Sequence, residues 1–98
     1  MDITKCLTVS TVHVTEETAN LLGQEAQSNT LDYPLCLSVY EKAEYGFWIH
    51  GPKEDRALAP SLPEDLKACL MLAREHDCQW LCLDRDGEEV SMLPTYDW

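Results

Sequence analysis

Between Cys6 and Val14 the chain reads CLTVSTVHV, with Leu7, Val9 and Thr11 on one side and Thr8, Ser10, Val12 and Val14 largely on the other. Alternation of this kind, rich in β-branched residues, predicts a strand. The pattern then changes period. Thr15 is placed to cap a helix, Glu16 and Glu17 complement the positive end of its dipole, and Ala19 and Leu22 share a face with Leu21 at its edge. Gly23 is a natural residue to follow a helix end, which predicts a helix of about two turns. The polar run QEAQSNTLD, from Gln24 to Asp32, reads as a loop. A second strand is expected over Leu35 to Tyr40 and a third over Gly46 to His50, joined as a hairpin through EKAEYG. Gly51 to Pro60 is the longest irregular stretch and carries Lys53, Glu54, Asp55 and Arg56, so it reads as a solvated loop.

The sharpest local signal is SLPE. Ser61 stands at a helix N-cap, Pro63 in the first turn, and Glu64 three residues after the serine, which makes a capping box. Leu62, Leu66, Cys69, Leu70 and Ala73 then recur at spacings of three and four, predicting a buried stripe on a helix that runs to about His76. QWLCL, apolar at consecutive positions, predicts a central strand covered on both faces. DRDG turns the chain, and Glu88 to Met92 could return as a short last strand. The element order β-α-β-β-α-β predicts one α+β domain over residues 1–98. The expected fold is an antiparallel sheet with both helices on one face, ferredoxin-like or a related two-layer sandwich.

Charge narrows the function classes. Eighteen Asp and Glu against seven Lys and Arg give −11, while a 45% hydrophobic content argues for a folded core rather than an acidic tail. Gripping nucleic acid or an anionic membrane needs clustered Lys and Arg, and the chain has no such cluster. The field of such a protein draws in basic surfaces and speeds encounters with them. Five cysteines form an odd set, and MDITKC has neither the basic nor the apolar region of a secretory leader. Reduced thiols and a cytoplasmic setting are therefore expected.

Several chemistries are weighed and set aside. Asp84-Arg85-Asp86-Gly87 begins like a calcium loop, but the twelfth position from Asp84 is Thr95 rather than a bidentate Glu. Cys78 and Cys82, on one strand, would lie about 13 Å apart, too far to share a zinc ion. His13, His50 and His76 are each competent general bases, yet nothing pairs one with a thiol, and His76 suits a helix C-terminus without any chemistry. Phosphate-binding loops, nucleophile elbows and His-Glu metal helices are absent from the sequence. The expectation is a non-enzyme with no metal and no cofactor.

Aromatic residues cluster better than titratable ones. Tyr40, Tyr45, Phe47 and Trp48 surround the hairpin, Trp80 lies on the central strand, and Tyr96 and Trp98 end the chain in LPTYDW. Phe47, Trp48 and Trp80 are the first candidates for core. From Asp84 to the end there are five acids and one base. Asp84, Asp86, Glu88, Glu89 and Asp97 are therefore the candidate partner-binding charges, and Tyr96 and Trp98 the candidate anchors, in the manner of aromatic hot spots within a polar rim. A row of carboxylates along a hairpin roughly imitates a row of phosphates. The competing reading of LPTYDW is that it packs back to seal the core.

Three stretches carry a resemblance: YEKAEYGFWI (Tyr40 to Ile49), LPEDLKACLMLAREHDCQWLCLD (Leu62 to Asp84) and LPTYDW. Together they resemble a family of uncharacterised bacterial proteins of about this length that sit in anti-restriction gene neighbourhoods of plasmids, prophages and genomic islands. The family brings no catalytic residues. The resemblance implies a context of genes that counter host defence, so the leading expectation is an acidic inhibitor of such a defence complex, anti-CRISPR or anti-restriction. Its partner would be a protein with a basic surface, not nucleic acid or membrane, and the chain itself would be a monomer or homodimer. The alternative is an antitoxin-like or regulatory partner that neutralises a small basic protein of the same mobile element. A third expectation, an enzyme built on a Cys-His pair, stands behind both.

Overall fold

The computed structural model describes residues 1, 3–27, 38–50 and 62–97, apart from the side chains of Glu25, Gln27 and Ser38. Its elements run β1 (Cys6–Ser10), a 3-10 turn (Thr11–His13), α1 (Glu16–Gln27), β2 (Ser38–Lys42), β3 (Gly46–His50), α2 (Glu64–Glu75) and β4 (Trp80–Asp84). The sheet order is β1-β4-β3-β2. β1 runs parallel to β4, while β4 with β3 and β3 with β2 are antiparallel, so the sheet is mixed. The α+β class holds and the β-α-β-β-α-β order is kept with a 3-10 turn added after β1, but the sheet expected to be antiparallel is mixed. The pairing is that of a related two-layer sandwich rather than the ferredoxin-like plan, because β1 takes an edge beside β4.

Register sorts the strand residues into two faces. Leu7, Leu81, Ile49 and Val39 lie in one row, and Val9, Leu83, Phe47 and Glu41 in the next. The apolar members of those rows pack with Leu22 of α1 and with Leu66, Cys69, Leu70 and Leu72 of α2 in one cluster, so both helices cover the same face.

Local chemistry explains most boundaries. β1 stops at Ser10, four residues before the expected Val14, because the Ser10 hydroxyl accepts from Val12 N–H at 3.2 Å and winds the chain into the 3-10 turn. Val14 thereby turns into the core instead of lying along a strand. Thr15 caps α1 as expected, its hydroxyl accepting from Thr18 N–H at 3.2 Å. The helix does not stop at Gly23; it continues to Gln27, and Ala26 packs on the core. The cost of a mid-helix glycine, about 1 kcal/mol, is less than the gain from continuing the Ala19, Leu22, Ala26 stripe.

The connection between β2 and β3 is residues 43–45, with Ala43 in the left-handed region at φ 47°. Gly46 comes next because a Cβ there would stand 1.7 Å from the Leu83 carbonyl oxygen. At the start of α2, Pro63 takes the cap position with no side-chain cap bond, and exposed Glu64 meets Lys67 at 3.4 Å. Ser61 of the expected capping box, the expected strand residues before Ser38 and the expected loop from Gly51 to Pro60 lie outside the described residues. Asp65 links the two helices. Its carboxylate is buried and accepts from Thr15 N–H at 2.7 Å and from the Thr18 hydroxyl at 3.0 Å, tying the first turn of α2 to that of α1. At the other end, Cys78 N–H reaches the Ala73 carbonyl (2.8 Å) and Asp77 N–H the Arg74 carbonyl (3.0 Å), with Asp77 at φ 58°. This is a Schellman stop, with Asp where Gly is usual.

Candidate binding surfaces

The turn after β4 is built by Asp84. Its backbone carbonyl accepts from Gly87 N–H at 2.8 Å and its Oδ1 accepts from Asp86 N–H at 2.9 Å. Gly87 then crosses β1 so closely that a Cβ would lie 2.7 Å from the Val9 carbonyl oxygen. No strand forms over Glu88 to Met92. The Glu88 carbonyl accepts one bond from Ser10 N–H at 2.9 Å, and the chain leaves the sheet. Val90 and Leu93 turn inward onto the core.

His13 pins the segment from Val90 to Pro94. It is buried, and Val90 N–H donates to its Nε2 at 3.0 Å. A backbone N–H can only donate, so the ring proton sits on Nδ1 and is given to the Pro94 carbonyl at 2.8 Å. Tyr96 N–H then donates to the Val12 carbonyl at 2.8 Å. The LPTYDW segment is thus docked by Leu93 and by its backbone, with Tyr96 half-buried and Asp97 exposed. Trp98 lies outside the described residues.

Two backbone bonds, from Glu88 to Ser10 and from Tyr96 to Val12, and the bond between the Pro94 carbonyl and the His13 ring all end on the stretch from Ser10 to His13. They bring the acidic turn and the acidic tail to one end of the molecule, and exposed Glu16 and Glu17 lie three and four residues beyond His13 in the chain. Asp86, Glu88, Glu89 and Asp97 are exposed there and make no ion pair among the described residues. Asp84 behaves differently. Its side chain is 15% exposed and accepts from Lys42 Nζ at 2.6 Å. That contact, then the Asp86 N–H, holds its carboxyl below the usual aspartate range, and the same contact raises the Lys42 ammonium. Asp84 belongs to the fold and is not a free charge.

The second surface is one that pattern reading missed. On the face of the sheet away from the helices, Cys6, Trp80 and His50 form one row, Thr8, Cys82, Trp48 and Tyr40 the next, and Ser10, Asp84, Gly46 and Lys42 the third. Both tryptophans, expected in the core, are half-buried on this open face, and Tyr40 is 56% exposed. Among the described residues, no helix covers β4 there. Cys82 is shielded by side chains of its neighbours, with Lys42 Nζ at 3.7 Å from its sulfur and 4.9 Å from the centre of the Trp48 ring. Trp80 meets Tyr40 at 6.2 Å and the edge of His50 at 4.8 Å. Thr4, Cys6, Tyr40, Trp48 and Trp80 line a shallow cavity of about 410 Å³ that is open to solvent. The hairpin register would have revealed this face, since Tyr40, Trp48 and Trp80 share one parity once Val39 and Ile49 point inward.

Cys6 and Cys69 carry no sign of activation. Burial pushes Cys69 up to about 12, aided by Asp65, and burial also raises Cys6. Both shifts run opposite to those of a reactive cysteine. Among the described residues no group of three or more His, Cys, Asp or Glu is placed to hold a metal ion. No helix there is long and apolar enough to cross a membrane.

These features define a two-layer α+β domain with one sheet face sealed by helices, one left open and aromatic, and an acidic end assembled from a turn and a tail. Residues 6–98 match the C-terminal domain of a family of unknown function, DUF5983, and the chain belongs to that family. Comparison with curated proteins and with solved structures finds no match.

Proposed function

We propose that this chain is a small acidic binding protein that inhibits a nucleic-acid-directed defence complex, anti-CRISPR or anti-restriction in kind, by covering a basic surface that normally holds nucleic acid. It works in the cytoplasm by binding and runs no reaction of its own. The observation that carries the reading is the convergence of Asp86, Glu88, Glu89 and Asp97 on one end, where two backbone bonds and the His13 ring tie the turn and the tail to the Ser10 to His13 stretch. A backbone tied in place meets a basic groove with less to order, and a chain of −11 is steered to it. The resemblance to proteins from anti-restriction neighbourhoods supplies the choice of partner, and the raised Cys6 and Cys69 thiols speak against a nucleophile.

The test is co-purification of the tagged protein from host extract at low and high salt, with bound proteins identified by mass. A nucleic-acid-binding subunit of a defence complex, captured at low salt and released at high salt, is the expected result. Charge reversal at Asp86, Glu88, Glu89 and Asp97 should abolish that capture while the circular dichroism spectrum stays native. Asp84 is left intact in that variant, because its pairing with Lys42 would confound the result. Undiminished capture by the folded variant would overturn the acidic decoy. Capture of a small basic protein encoded beside this one would replace it with the antitoxin reading.

A further inference from the structure

We propose that the cavity on the open sheet face receives an arginine side chain of the basic partner. The inference rests on the partner being basic and adds a specific anchor to that reading.

Aromatic side chains make up most of the lining. Tyr40, Trp48 and Trp80 line the cavity with Thr4 and Cys6, and no carboxylate lines it among the described residues. An open depression lined by aromatic rings offers flat surfaces on which a guanidinium can stack. The molecule already pairs cations with aromatic rings, one of them in this cavity's own lining. Arg85 lies 4.7 Å over the Tyr45 ring, and Lys42 lies 4.9 Å over the Trp48 ring. Tyr40 and Trp80 are aromatic walls of the cavity over which no cation of the described residues is placed.

Charge selects the occupant. The −11 field concentrates cations at every surface of this chain. Lys42, a cation beside the cavity wall, is neutralised by Asp84 at 2.6 Å and so does not repel an incoming guanidinium. Arginine suits an apolar pocket better than lysine, because its charge is delocalised and weakly hydrated and it stacks on flat rings. The acidic end then supplies long-range attraction while the cavity supplies a fixed point of registration, which is the usual division between rim charges and a buried anchor.

The test needs no partner. N-acetyl-arginine methylamide and its uncharged isostere N-acetyl-citrulline methylamide are titrated into the intact protein, with the assigned indole N–H signals of Trp48 and Trp80 followed by NMR. Saturable shifts of both signals with the arginine probe, about tenfold weaker with citrulline, are expected from a cation-π site. Tyr40→Leu, at an exposed position, should keep the fold and weaken the arginine response, and Tyr40→Phe should restore it. Equal response to both probes would overturn the proposal in favour of a simple apolar pocket. So would shifts that track protein concentration alone, since a second copy would then cover the face. Absence of any shift, beside successful low-salt capture of a defence subunit, would remove the cavity and leave the acidic end standing. Arginine binding without any capture would leave the cavity and remove the proposed partner.

Discussion

The two faces of one sheet share the same strands and differ in almost everything else. On the helix side, Val9, Ile49, Leu81 and Leu83 are branched aliphatics buried to completion or nearly so. On the open side the alternate residues of those strands are Thr8, Trp48, His50, Trp80, Cys82 and Asp84. Aliphatic side chains interlock with helices at native packing density. Broad aromatic rings instead cover a strand from above while leaving their own outer faces in reach of water. The difference separates what holds the molecule together from what it offers to others, and substitutions on the two faces should report it.

The largest effect should fall on the sealed face. Leu66→Ala empties a fully buried site between α2 and the sheet and is expected to cost about 2–5 kcal/mol in urea unfolding. A loss under about 1 kcal/mol would mean that the helices are not packed as described. Next comes the pin between core and tail. His13→Ala strands the Val90 N–H and the Pro94 carbonyl and should cost about 2 kcal/mol. It should also free the Val90 and Tyr96 amides to exchange with solvent while those of β4 stay protected. Uniform exchange across the chain would show the tail to be no separate unit.

On the open face the expectation reverses. Tyr40→Ala should change stability by no more than about 0.5 kcal/mol, since the ring is mostly exposed. A cost like that of Leu66→Ala would show this face to be core after all.

The smallest effect is one of pH. Asp84 has a depressed carboxyl value, with Lys42 as the first cause and the Asp86 N–H as the second. Its pairing therefore stabilises the fold above the unfolded value of about 3.9 and is lost as pH falls through the lower folded value. The wild type should exceed Asp84→Asn in denaturation midpoint near neutrality, and the two should converge on acidification. A gap that persists at low pH would assign the effect to the turn and not to the charge.

Periodicity reported local facts well and spatial ones poorly. The stripe Leu66, Cys69, Leu70, Ala73 was legible because burial of one helical face imposes spacings of three and four, and all four are buried; Leu62 is buried too, but ahead of the helix. The Thr15 cap and the Asp84 turn were legible because each is a bond between near neighbours along the chain. Gly23 misled, since a stop signal yields to tertiary contact when Ala26 finds the core beyond it. Trp48 and Trp80 misled for a different reason: hydrophobicity ranks a residue for burial but does not say on which side of a sheet it lies.

By itself, then, the chain determined its class, its element order, its helix stripes and its excess of negative charge, because these arise from composition and from interactions spanning a few residues. Tertiary structure alone decided that β1 would lie parallel to β4, that the acidic turn and tail would meet at His13, and that Tyr40, Trp48 and Trp80 would face one cavity. Each of those joins residues far apart in the chain. The strand pairing that brings them together is set by the packing of the whole core and not by any local pattern.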